Sequence, residues 1–586
     1  MCVIPRNKRV LNPVRMDTNL RGMNLPSPRF RIAPLPKELA QVRGYTSLQT
    51  FFPTLSKLFR LTKHTSENIW LDSKWRITGI DISGTSGPCF LKLVKNVDLS
   101  GCSPAEKKGQ PAYLKVTHLL DPVRWMKGRY SLPKERGLPW HNKTWANAWN
   151  KLQDSWNQAY VEAVASYALG RLCEEGISPH FNEFYGAFCA TADIYRYNLT
   201  EEFGSFRNAR WFWNGKKNGM FNIYVQGHEG PVDHEKLNEI LREPSVVESL
   251  TDSEQDSASE NSKTSVSSET IDVVDGGAIE LGDMNSLHSG EMSSVSFEEE
   301  MEDSNDESES DDTFKIYAEM KNFPVMLIAL QNNSGTMDSL LDDTEEVGAT
   351  PGTPEWELRW SAWLFQVVAA LSVAQAVIGF THNDLHTNNI VWTPTTEEFM
   401  YYTLRSGATF KVPTFGKLFR VIDFGRAIFT INGTQFISDD FRPGNDAEGQ
   451  YSFKPLLPRP VEDIPPNPSF DLSRLAVSLF NALFPEAPED KEGGEVISSE
   501  EGLELNESVS PLFNCLWTWM MDENGCNVLV EPSGEERFPE FDLYRHIAKH
   551  VHNAVPSQQF KLPVFDQFQV NPSEIGEGVK KWQLFA

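Results

Sequence analysis

Thr381-His382-Asn383-Asp384-Leu385-His386-Thr387-Asn388-Asn389-Ile390 is the stretch around which this chain is organised. Upstream, Thr353-Pro354-Glu355 has the N-cap, first-position proline and first-turn carboxylate of a helix start. Trp356, Trp360, Trp363, Leu364, Val367, Val368, Leu371 and Ile378 continue it as one apolar stripe at helical spacing. Downstream, Ile390-Val391-Trp392 and Phe419-Arg420-Val421-Ile422 read as paired strands, the second ending in Asp423-Phe424-Gly425. The decisive stretch is therefore a loop between a core helix and a strand. It puts one Asp on that loop, an Asn five residues on, and a second Asp at the end of a later strand. Phosphoryl transfer asks for such a set: a carboxylate near the attacking hydroxyl, and further groups to hold magnesium on the phosphates.

A metal cluster is the competing reading of the same residues. His382 and His386 lie four apart with Asp384 between them. Zinc sites ask for a third or fourth Cys, His or carboxylate at short spacing, and none stands nearby. His382 is expected to pack beneath the loop with its nitrogens satisfied.

The order H-x-D-L-x-x-x-N followed by D-F-G resembles the catalytic and metal loops of the protein kinase superfamily. That resemblance implies Asp384 as the catalytic base, Asn389 and Asp423 as Mg²⁺ ligands, and Gly425 as the residue that lets the second loop turn. His386 stands where protein kinases often carry Lys, and Asn383 where many carry Arg. In this respect the loop is also similar to those of the aminoglycoside and choline kinases, which phosphorylate small molecules.

Ala112-Tyr113-Leu114-Lys115-Val116 is an apolar strand with one Lys inside it. A buried ammonium needs an anionic partner. The resemblance makes Lys115 the holder of the α- and β-phosphates and places its partner on the next helix. Glu162 opens the apolar stretch of that helix, which Gly176 follows at its end; a solvated helix charge is the plain alternative for Glu162. Further upstream, Ile77 to Ile82 and Cys89 to Leu93 alternate as strands around a Ser/Gly turn. Gly84 and Gly87 in that turn resemble a phosphate-covering loop in position, although the full G-x-G-x-x-G is absent and an ordinary β-turn fits almost as well. Leu330 ends an apolar strand that resembles the one leading to the adenine-facing hinge. Phe470-Asp471-Leu472 resembles the helix whose Asp supports the catalytic loop backbone, while no A-P-E triplet follows Gly425.

The formal charge of −27 is unevenly distributed. Residues 245–314 hold 21 carboxylates and a single Lys, and the rest of the chain is only mildly acidic. Generic nucleic-acid binding, which needs a basic footprint, is excluded. The composition of residues 245–312 predicts an acidic disordered insertion, either solvating or available to a basic partner; a second acidic insertion is expected between 486 and 507. Seven scattered Cys without a C-x-x-C pair fit a reducing compartment. With no secretory segment and no uninterrupted apolar run of membrane-spanning length, a cytoplasmic or nuclear protein is expected. Residues 1–68 mix basic residues, prolines and a short amphipathic piece (Leu48 to Leu61), and are read as an extension that leans on the kinase-like lobe, with a solvated arm favoured over docking onto an acidic surface.

The expectation is thus an α+β, two-lobe protein kinase-like fold: a small antiparallel-sheet lobe and a mainly helical lobe. Its divisions fall at an extension (1–70), a small lobe (71–190), an insertion (191–313), the end of that lobe with the hinge (314–335), the large lobe (336–556) and a tail (557–586). The activity expected is ATP- and Mg²⁺-dependent phosphorylation, foremost of protein Ser or Thr. Its rivals are a small-molecule kinase and a nucleotide-binding pseudokinase scaffold.

Overall fold

The computed structural model describes residues 32–34, 42–59, 61, 69–82, 86–95, 106–130, 148–227, 237, 240–244, 314–489, 508–530, 536–539 and 541–586. The acidic stretch 245–312, Gly84 and residues 490–507 lie outside them.

Alternation of apolar and polar residues builds the main sheet. In the strand Gly87–Lys95, Cys89, Leu91 and Leu93 are buried while Phe90 and Lys92 face outward, the period of two expected of a half-buried strand. With β1 as Tyr45–Gln49 and β2 as Trp75–Ile82, this strand is β3; β4 is Glu106–His118, β5 Phe184–Asn198, β6 Asn222–Gly227 and β7 Phe314–Gln331. Their order is β1-β5-β7-β4-β3-β2, with β6 added on β7, and every pairing is antiparallel. The central strand β7 is buried continuously from Phe323 to Leu330. Helix α1 (Gln158–Glu174) is buried along almost its whole length. Where it passes the strand after the helix, Gly170 leaves no room for a side chain: an added Cβ would lie 2.8 Å from Phe184 Cβ.

Three divisions drawn from sequence move. Residues 42–59 are packed rather than a solvated arm: β1 pairs with β5, Phe52 stacks on Tyr160 at 5.4 Å, and Leu55 is fully buried. Their apolar side chains fill a sheet edge that would otherwise be open. A boundary at residue 190 cuts through β5, which runs on to Asn198. The aromatic stretch after it forms short helices at Phe203–Asn208 and Arg210–Lys217. Finally, Gly227 and Phe314 are register partners across β6 and β7, and Ile240 is buried in the core with Leu241 O accepting from Lys216 Nζ, so the expected insertion contains residues packed on the fold.

Beyond β7 helices alternate with short strands. Helix α2 (Pro354–Ile378) is capped by the Thr353 hydroxyl, which accepts from Trp356 N, and ends at Gly379 with φ +58°. It is apolar enough by composition to cross a membrane, but is mostly buried within the fold. Strands β8 (Ile390–Pro394) and β11 (Lys417–Val421) pair as expected. The long piece between them is a hairpin, β9 (Phe399–Thr403) with β10 (Thr409–Pro413). The C-terminal tail adds a strand to each side of it, β12 (Gln569–Val570) and β13 (Lys581–Gln583). Phe365 of α2 collects Tyr402, Phe410, Phe560, Phe565 and Phe568 around itself, seating hairpin and tail on one core. Helices α3 (Phe470–Leu483), α4 (Pro511–Trp519) and α5 (Phe541–His550) complete this part. The five described cysteines form no disulfide.

Candidate functional site

Register brings the first group of residues together. Lys115 lies in β4 opposite Ile328 of β7, and α1 crosses the same face of the sheet. Lys115 Nζ stands 2.6 Å from Glu162 Oε1 and 2.7 Å from Asp423 Oδ2, with the Lys and Glu residues 6% and 2% exposed. Thr117, two residues along the strand and hence on the same face, donates its hydroxyl to Glu162 Oε2 at 3.1 Å. Burial pushes the Glu162 carboxyl above the usual range; Lys115 opposes this and Asp423 adds to it. Lys115 thus bridges two carboxylates that are themselves largely buried. Lys92, the other strand lysine near this turn, is exposed. Gly87 has φ +98° and pairs with Leu114, the residue before Lys115. Leu330, at the end of β7, borders a cavity of about 10 Å³ with Ile422 and Phe424.

The loop 381–390 is built from beneath. Asp471, fully buried in the first turn of α3, accepts His382 N at 2.9 Å and Asn383 N at 3.0 Å. Asn383 adopts φ +67° and Asp423 φ +64°, left-handed conformations that Asn and Asp reach more readily than other side chains. His382 is buried between Phe380 and Phe424. Its Nε2 bonds Ile422 O at 2.8 Å and its Nδ1 accepts from Asp384 N at 3.3 Å. Both nitrogens are thus committed, as expected of a histidine packed under the loop, and neither is placed as a metal ligand. His386 Nε2 accepts from Asn389 Nδ2 at 3.0 Å, and burial first of all lowers its pKa to about 4.

Pairing of β8 with β11 sets Ile390 opposite Val421. Asn389 and Asp423, one residue before and two residues after that pair, therefore emerge at the same end of the ladder, and Ile422 N donates to Asn389 O at 3.0 Å. Asn389 Nδ2 is occupied by Asp384 O and His386. Its carbonyl Oδ1 and the carboxylate of Asp423, at the same end of the ladder, are hard oxygen donors of the kind that fits Mg²⁺.

Asp384 itself is held by residues the sequence did not single out. Tyr544 of α5 donates its hydroxyl to Asp384 Oδ1 at 3.0 Å, and Arg426 Nη1 lies 3.4 Å from Oδ2. Arg474 Nε donates in turn to the Tyr544 hydroxyl at 2.9 Å. Burial acts to raise the Asp384 pKa, but Arg426 and Arg474 outweigh it and hold the carboxylate below the usual aspartate range. Its side chain remains 22% exposed, open enough to meet a substrate. Nothing local in the sequence marks Tyr544, which lies 160 residues from Asp384. Arg426 carried one signal: it directly follows D-F-G in a chain whose loop has Asn383 in place of Arg.

Lys115, Glu162 and Asp423 thus converge, and Asn389 with Asp384 stands at the adjoining loop. Gly84 lies outside the described residues. Compared with models of known protein families, the chain matches none, and no curated protein matches it.

Proposed function

We propose that this chain is an ATP- and Mg²⁺-dependent phosphotransferase with a two-lobe, protein kinase-like architecture, acting on Ser or Thr of a protein. The observation that carries this reading is Lys115 bridging Glu162 and Asp423 beside a loop whose Asp384 is ionised, oriented and open to solvent. Lys115 is the group that would meet the α- and β-phosphates. Asn389 Oδ1 and the Asp423 carboxylate would hold Mg²⁺, which would neutralise phosphate charge when bound. Asp384 accepts the proton of the acceptor hydroxyl as its oxygen bonds to the γ-phosphorus. The bond from that phosphorus to the bridging oxygen breaks, and its electron pair leaves with ADP.

A protein acceptor is favoured by Asp471, which supports the loop backbone from α3 as the resemblance implies. A small-molecule acceptor is the second reading. It is favoured by Asn383, whose side chain is satisfied by Arg426 O and the Tyr451 hydroxyl, and by the course of the segment after Gly425, which turns Arg426 inward onto Asp384. The test is transfer of label from γ-labelled ATP with Mg²⁺ to mixed protein and small-molecule acceptors. Label on Ser or Thr is expected, and label confined to a small molecule selects the second reading. Absence of transfer by the purified chain, with nucleotide binding retained, replaces both with a nucleotide-binding scaffold.

A further inference from the structure

Two adjacent carboxylates outside the site, Asp439 and Asp440, reach its two halves separately. They lie in a short 3₁₀ turn, Asp439–Phe441, opened by Ser438, whose hydroxyl accepts from Asp440 N. Asp439 is 2% exposed. Its Oδ1 accepts Gln158 N at 2.9 Å, the first amide of α1, and its Oδ2 stands 2.5 Å from Lys151 Nζ. Asp439 N donates to Trp156 O at 2.7 Å, and Arg442, three residues on, pairs with Asp154. A carboxylate at a helix N-terminus satisfies an amide without an intrahelical partner and complements the helix dipole. Here that carboxylate comes from 281 residues away, and the helix it holds is the one that carries Glu162.

Asp440 points the other way. Its Oδ2 accepts Arg426 Nε at 2.9 Å, and the same guanidinium faces Asp384 through Nη1. Arg426 is 9% exposed, so its fork is held between two carboxylates where water competes little for its donors.

We propose that Asp439 and Asp440 are positioning residues that assemble the two halves of the site from one turn. Asp439 sets α1 and through it the Glu162–Lys115 pair; Asp440 sets Arg426 and through it Asp384. The inference rests on the phosphotransferase reading for its kinetic consequences, but not for its structural ones.

The two roles separate in one experiment on the full chain. In hydrogen exchange, Asp439→Asn is expected to speed exchange at the start of α1, over residues 158–162, by about tenfold, as for one lost charge-assisted bond. Asp440→Asn leaves α1 protected and speeds exchange over residues 381–386. With Mg-ATP and whichever acceptor the wild type labels, Asp439→Asn raises KM for ATP about tenfold with little change in kcat. Asp440→Asn lowers kcat about tenfold with KM for ATP unchanged. Lys151→Met is expected to follow Asp439→Asn in milder form and Lys151→Arg to restore the wild-type pattern, which separates positioning from a general loss of folding. Exchange at α1 that is unchanged in Asp439→Asn, or both aspartate variants moving the same segment and the same constant, overturns the proposal. A wild type without phosphoryl transfer defeats the functional reading instead, and the exchange results alone then decide the coupling.

Discussion

The two halves of the site each set one cation between two carboxylates, and they differ in what else holds the acids. On the sheet side a single cation, Lys115, is shared by two carboxylates, so an anionic excess is kept in a nearly dry place. On the loop side Arg426 also lies between two carboxylates, Asp384 and Asp440, and Asp384 receives in addition a tyrosine hydroxyl that Arg474 backs. The first half would be left with two largely buried acids if its lysine were lost. The second keeps a carboxylate ionised and aimed, at some cost in basicity. A phosphoryl transfer with a loose transition state asks more for orientation of the acceptor than for a strong base, which is consistent with that cost.

Asp384→Asn tests the loop side and should have the largest effect. Removal of the proton acceptor is expected to lower transfer by roughly 10²–10⁴-fold, with the thermal midpoint retained because Asn still accepts from Tyr544. Normal turnover in the purified variant would transfer the role of base elsewhere. Lys115→Met tests the sheet side. It keeps the packing of the stem but removes the shared cation, leaving Glu162 and Asp423 facing each other, at a cost of up to about 3–5 kcal/mol in denaturant unfolding. A loss below about 1 kcal/mol would mean that water already reaches the pair.

A pH series sharpens the contrast with a smaller effect. His386 on the loop side is held neutral, its pKa lowered to about 4 by burial, and His118 and His180 are lowered to about 4 as well. The unfolded chain protonates these groups first, near about 6.5. Their stabilising contribution is therefore complete above about 6.5 and is lost as pH falls toward about 4. Each contributes a slope of about 1.4 kcal/mol per pH unit within that window. His386→Asn should remove one such contribution, visible as a shallower pH dependence of the urea midpoint; an unchanged dependence would show that His386 is already charged in the folded state. The smallest effect is expected at Lys92→Met, where an exposed strand lysine should change stability by no more than about 0.5 kcal/mol and leave transfer intact. If this variant fails to transfer phosphate while Lys115→Met succeeds, the lysine and its strand have been wrongly assigned.

Much of this arrangement was legible residue by residue. The Lys in an apolar strand, the Glu opening an apolar helix and the Asp at a strand end are each anomalies of polarity. Such anomalies point to one another because buried charge requires a partner. The caps of α2 and the alternation in β3 were readable for the same local reason. The packing of residues 42–59 was not, since proline and basic residues before it dominate the composition of that region. The hairpin of β9 and β10 was seen only as an unusually long connection, because its partners β12 and β13 lie at the far end of the chain.

By itself, then, the sequence determined which residue types recur at which local period, and so the helices, the strands and the loop 381–390 with its acids. Tertiary structure alone decided what surrounds Asp384 and what holds α1. Tyr544, Arg474, Asp439 and Asp440 meet their partners across long separations. Such contacts follow from the closure of the whole chain, which no local spacing of residues encodes.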